Sequence, residues 1–98
     1  MVSILPPVHP GEILREEYLG PLKITAGGLA RTLNVPRTRI ERLIGEQTSI
    51  TSDTALRLAR FFDTTPEFWM NMQVSYDLKI AAAAKREELA AIPVISAA

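Results

Sequence analysis

The sequence predicts an all-α domain of five helices. Three observations carry this. Apolar residues recur at three- and four-residue spacing through most of the chain. Pro, Gly and Thr punctuate that rhythm where helices start and stop. No segment of strand length alternates apolar and polar residues.

The first nine residues, with Pro6 and Pro7, read as an extended arm. Pro10 suits a first helical position, and Ile13, Leu14, Tyr18 and Leu19 mark one apolar face. Gly20-Pro21 is expected to stop this helix. Thr25 caps a second helix running to Leu33, with Leu29, Ala30 and Leu33 inward. Its first turn, Ala26-Gly27-Gly28, is weak, because glycine costs about 1 kcal/mol against alanine inside a helix. After the tight turn Asn34-Val35, Pro36 opens a third helix to about Ile44, with Ile40, Leu43 and Ile44 inward and Gly45 as its stop.

Glu46 to Ile50 form a polar loop. Thr51 caps a fourth helix to about Phe62, with Asp53 complementing the helix dipole and Ala55, Leu58, Ala59 and Phe62 as the buried stripe. Thr65-Pro66-Glu67 starts a fifth, which keeps its rhythm through Phe68, Trp69, Met72, Tyr76 and Ile80 into the mid-eighties or further. Pro93 ends it, leaving a tail. The expected organisation is an arm at 1–9, a helix-turn-helix domain with a C-terminal dimerisation helix at 10–92, and a tail at 93–98.

Composition narrows the function. The 98 residues are 47% hydrophobic, enough for a core and too apolar for intrinsic disorder. There is no cysteine, hence no disulfide, thiolate nucleophile or zinc-thiolate site. No apolar run approaches the roughly 20 residues that span a bilayer. The start lacks the basic and apolar regions of a secretory leader, so a cytoplasmic protein without membrane attachment is expected. Eleven basic and eleven acidic residues cancel, which excludes a bulk nucleic-acid coat protein. The cancellation is uneven. Residues 31–60 carry six arginines against Glu41, Glu46 and Asp53, a net +3, and the flanks are −1 and −2.

The pair Thr25–Leu33 and Pro36–Ile44, joined by a short turn, has helix-turn-helix spacing. The second helix of such a pair can enter the DNA major groove. With Ile40, Leu43 and Ile44 inside, Arg37, Thr38, Glu41 and Arg42 face outward and Arg39 lies on the flank. Arginine's planar fork bonds guanine O6 and N7 together, at about 1–3 kcal/mol of base discrimination per pair. Thr38 suits a thymine methyl or a phosphate, and Thr25, at a helix start, suits a phosphate. Helix geometry and charge leave a second reading standing: an ordinary solvated face, with Glu41 and Glu46 as i,i+4 partners of Arg37 and Arg42.

An enzyme lacks support. His9 is the lone histidine, at the entry to helix one, with no metal or triad partner. Glu16 and Glu17 diverge by about 100° on a helix and do not form an acid/base pair. Gly27-Gly28 lacks the spacing and lysine of a P-loop. No cofactor or metal is expected. Phe68 and Met72 read as core, Trp69 and Tyr76 as core or interface, and Ile80, Ala83 and Ala84 as surface for a symmetry mate or a fraying end.

Four segments carry a resemblance: His9–Leu14, Leu29–Ile40, Ile50–Ala59, and Pro66–Gln73 with Tyr76-Asp77-Leu78. In these, covering roughly residues 9–80, the chain resembles the HigA-type antitoxins of the Xre/Cro-like helix-turn-helix group, the branch also labelled VapI-like. The resemblance implies a five-helix, lambda-repressor-like fold and a homodimer on palindromic double-stranded operator DNA. It also implies a RelE-like (HigB) mRNA-cleaving toxin as partner, neutralised by protein–protein binding. It maps base reading onto Arg37, Thr38 and Arg42, and phosphate binding near Thr25, Arg39 and Gln47-Thr48-Ser49. The dimer interface is expected at Trp69, Tyr76, Ile80, Ala83 and Ala84. Two positions depart from the pattern: Ala26-Gly27-Gly28 replaces a polar helix start, and Pro36 replaces a Ser or Thr cap. A stand-alone phage-type repressor and an interaction module without DNA binding remain the alternatives.

Overall fold

Helix α1 begins at Pro10, and its N-cap is His9, whose Nδ1 accepts the Gly11 N–H at 2.9 Å. The computed structural model describes residues 6–96; residues 1–5 of the expected arm and 97–98 of the expected tail lie outside them. Among the described residues every regular element is helical.

α1 does not stop at Gly20-Pro21. It runs as an α-helical turn Pro10–Ile13, a π-helical section Leu14–Leu19 and a closing turn Gly20–Leu22. In the wide section Gly20 N–H bonds Arg15 O, one residue further back than in an α-helix. Pro21 then falls in the first turn of a fresh α-helical segment, where a missing N–H is harmless. Lys23, left-handed at φ 56°, ends the helix, and Ile24 N–H closes on Leu19 O at 3.0 Å.

α2 is Ala26–Leu33, capped by Thr25 and ended by left-handed Asn34. α3 is Arg37–Ile44; Pro36 precedes it as a cap that offers no side-chain bond. α4 is Ser52–Phe62, capped by Thr51 and ended by left-handed Asp63. α5 is Pro66–Ala84, capped by Thr65. The expected single long helix breaks at Lys85, and a short α6, Arg86–Ala90, follows. Among the described residues the six helices therefore match the five expected with one added at the end.

The core is built from Leu14, Leu19, Leu29, Ala30, Leu33, Ile40, Leu43, Ile50, Ala55, Leu58, Ala59 and Trp69. α2 packs on α3, α4 on α5, and α1 reaches both α3 and α5. Trp69 is fully buried, its ring 5.2 Å from that of Tyr18, and its Nε1 donates to Thr64 Oγ1 at 2.9 Å. Trp69 therefore has no surface to offer a second copy, which corrects its place in the expected dimer interface. Phe68, expected in the core, is 38% exposed instead. The molecule extends over 57 × 22 × 22 Å, and Val74, Leu78 and Ile80 are exposed along α5.

Candidate nucleic-acid interface

The site starts with how α3 is held. Gly11 abuts its C-terminal end so closely that an added Cβ would sit 1.8 Å from Leu43 O. Only glycine fits such an approach of helix to backbone. Arg15, one turn along α1, donates through Nη1 to the carbonyl of Ile44 and lies 3.4 Å from Glu46 Oε2. A cation on the last carbonyls of a helix complements its dipole. Glu46 is itself left-handed, at φ 60°, and turns the chain into the polar loop.

The loop is pinned at its far end as well. The buried Ile50 N–H donates to Gln73 Oε1 of α5 at 2.8 Å, and Gln73 Nε2 donates to Asp77 Oδ1 at 2.9 Å. Gln47, Thr48 and Ser49 thus stand exposed on a short loop fixed at both ends.

Between this loop and α3 lies an open groove lined by Pro36, Thr38, Arg39, Arg42, Thr48, Ser49, Thr51 and Thr54. Five of the eight residues expected to contact nucleic acid meet there: Thr38, Arg39, Arg42, Thr48 and Ser49. Arg37, Thr25 and Gln47 do not line it. Arg37 lies at the start of α3, 72% exposed in its side chain, paired to Glu41 at 2.9 Å. Thr25 uses its Oγ1 to accept the Gly28 N–H at 3.0 Å. Gln47 is exposed, its backbone N–H on Arg42 O at 2.9 Å.

The solvated-face pairing forms only in half. Arg37 pairs with Glu41, but Glu46 is taken by Arg15, and Arg42 has no ion pair among the described residues. Arg39 pairs with Asp53 at 2.6 Å, and Asp53 also pairs with Arg57 at 3.0 Å. Arg57 first, and Arg39 next, hold the Asp53 carboxyl below its ordinary value of 3.8.

Four residues of the surroundings escaped the reading by residue type. Gly11, Arg15 and Gln73 act on α3 and its loop from sequentially distant helices, so no local spacing announces them. Arg31 entered only through its charge. Its guanidinium and the Arg37 side chain flank Gly27, each within 3.7 Å of where a Cβ would stand. The bare helix start thereby lies beside two arginines.

No family model matches the chain. Individual proteins do. It is 49% identical over 89 residues to virulence-associated protein I of Dichelobacter nodosus, covering 91% of this chain and 82% of that one. It is 40% identical over 72 residues to antitoxin HigA-1 of Vibrio cholerae, covering 74% and 68%. Among solved structures, Pseudomonas aeruginosa antitoxin HigA with the higBA promoter superposes at a TM-score of 0.89 with 42% identity, over 92% of this chain and 99% of that one. Identity at this level, over most of each chain and with one shared fold, means that the chain belongs to the HigA antitoxin family of helix-turn-helix regulators.

Proposed function

We propose that this protein is the antitoxin of a toxin–antitoxin pair and the repressor of its own operon. The observation that carries the reading is the groove beside α3, where Thr38, Arg39, Arg42, Thr48 and Ser49 converge on one exposed surface. In this reading Arg37, Thr38 and Arg42 read base edges from α3. Arg39, Thr48, Ser49, Gln47 and Thr25 face phosphates on either side. The Pseudomonas aeruginosa relative, solved with promoter DNA, supports it. No further group is needed for binding of this kind, which rests on side-chain and backbone donors alone.

A single recognition helix reads only a few base pairs. Two copies related by a two-fold axis read half-sites about 34–36 Å apart and give a palindromic operator. The exposed apolar residues of the distal α5, with Ile80, Ala83 and Ala84 among them, are the surface assigned to the second copy, and Tyr76, half-buried against the His9 ring at 4.8 Å, lies at its edge. Repression is steric, by occupancy of the promoter. The toxin is a small RelE-like ribonuclease bound on another surface.

The test has two arms. Mobility shifts compare a duplex from upstream of the chain's own reading frame with a scrambled duplex, for wild type and Arg42→Ala. Preferential upstream binding, lost in the variant, supports operator recognition; equal binding to both duplexes overturns it. Co-expression with the neighbouring reading frame tests the second activity through co-purification and rescue of growth. A neighbour that neither slows growth nor binds would leave a stand-alone repressor.

A further inference from the structure

Arg39 does not stand alone at the groove. Its Nη1 donates to Asp53 Oδ2 at 2.6 Å. Both Asp53 oxygens accept from Arg57 Nε, at 3.0 and 3.2 Å. Arg57 Nη1 then donates to the carbonyl of Leu33, the last residue of α2, at 2.8 Å. One run of bonds therefore joins the end of α2, the first turns of α4 and the flank of α3.

The direction of this run matters. Arg39 lines the groove, but Asp53 and Arg57 do not; they line a separate cleft with Thr32, Leu33 and Phe61. Asp53 thus grips Arg39 from behind. A guanidinium has five N–H donors, and Asp53 takes its bond from one terminal nitrogen, leaving the others for the groove. Arg57 is in turn fixed by its bond to a helix carbonyl, so the carboxylate is not an independently swinging group.

The geometry points to Asp53 as a positioning residue for DNA recognition: it orders the Arg39 guanidinium before a phosphate arrives. This rests on the DNA-binding reading above. Ordering a long side chain in the free protein removes an entropic cost from binding. An acid at a DNA-facing surface also repels phosphate, so the positioning role and the plain charge effect have opposite signs on removal of the charge.

Fluorescence anisotropy decides between them. The upstream and scrambled duplexes are titrated with wild type, Asp53→Asn and Arg57→Lys across a salt series. Positioning predicts that Asp53→Asn weakens both duplexes about five- to tenfold, since a phosphate contact carries little sequence information, and has no further effect in an Arg39→Ala background. Arg57→Lys keeps the net charge and cannot bridge Asp53 to Leu33 O as a planar fork does. It should lose affinity in the same direction, and the double variant should add little to Asp53→Asn. Tighter binding of the upstream duplex by Asp53→Asn, with steeper salt dependence, would overturn the inference and make Asp53 a competitor of phosphate. An equal loss from Asp53→Asn in the Arg39→Ala background would overturn it too, because Asp53 would then act other than through Arg39. If Asp53→Asn fails to fold, the charge-neutral Arg57→Lys carries the same test. Wild type that cannot tell the duplexes apart removes the DNA-binding reading itself, and the inference with it.

Discussion

Gln73 Oε1 accepts the backbone N–H of Ile50 at 2.8 Å, across 23 positions of sequence and inside the core. A buried donor without its acceptor costs about 1–3 kcal/mol. Gln73→Leu should therefore lower stability by that amount, because it keeps the volume and strands the Ile50 N–H. The chain has one tryptophan, Trp69, fully buried, so its fluorescence reports unfolding in urea directly. The expected result is a lower midpoint at unchanged slope. An unshifted midpoint would show that the loop backbone finds another partner.

Gly11 and Gly27 make opposite predictions for one substitution. At Gly11 a Cβ meets Leu43 O at 1.8 Å, and neither helix backbone can retreat without dragging the core. Gly11→Ala should cost about 3 kcal/mol, at the upper end for overpacking. At Gly27 the nearest atom is Arg37 Cδ at 3.6 Å, an ordinary contact. Gly27→Ala should stabilise the fold by about 0.5 kcal/mol through lower unfolded-state entropy. Thermal melts of the two variants beside wild type should move in opposite directions.

These glycines show where sequence reading stops. The helices were legible because each carries its own punctuation: Thr25, Thr51 and Thr65 all act as caps, as their positions imply. The outward face of α3 was legible because Ile40 and Leu43 fix its rotation. The passage of α1 through Gly20-Pro21 was not, since a π-helical section upstream relocates the proline and has no short-range signature. Trp69 and Phe68 are adjacent, and which of them turns inward depends on Tyr18 and Thr64, which the periodicity of α5 alone does not contain. The pairing of Glu46 likewise depended on Arg15, 31 positions away, rather than on Arg42 in the preceding turn.

Asp53 makes the acid limb of stability specific. Its carboxyl is held below the ordinary value by bonds from Arg57 and Arg39, so the folded state binds that proton less readily than the unfolded state. Its contribution is then fully present above the ordinary carboxylate range and is lost as pH falls through the folded value. Urea midpoints measured from neutral pH down to pH 3 should converge for wild type and Asp53→Asn, with the wild-type advantage confined to the higher end. Parallel curves over the whole range would show that the pair adds nothing beyond the neutral hydrogen bond, as surface pairs often do.

The distal α5 offers the clearest separation of folding from assembly. Ile80 is 46% exposed and Leu78 61%, both beyond the contacts that bury Trp69 and Gln73. A change there should leave the monomer fold nearly untouched, within about 0.5 kcal/mol, since surface substitutions usually do. If this face joins two copies, Ile80→Glu places two carboxylates near the two-fold axis, and symmetry doubles every unfavourable contact. The expected outcome is a dimer constant weakened more than about tenfold in sedimentation equilibrium, with the Trp69 unfolding midpoint unchanged. Operator affinity should fall with it, because each monomer then engages its half-site alone. An Ile80→Glu protein that still sediments as a dimer would move the interface elsewhere, with the exposed Leu89 and Ile92 around α6 as the next surface to substitute.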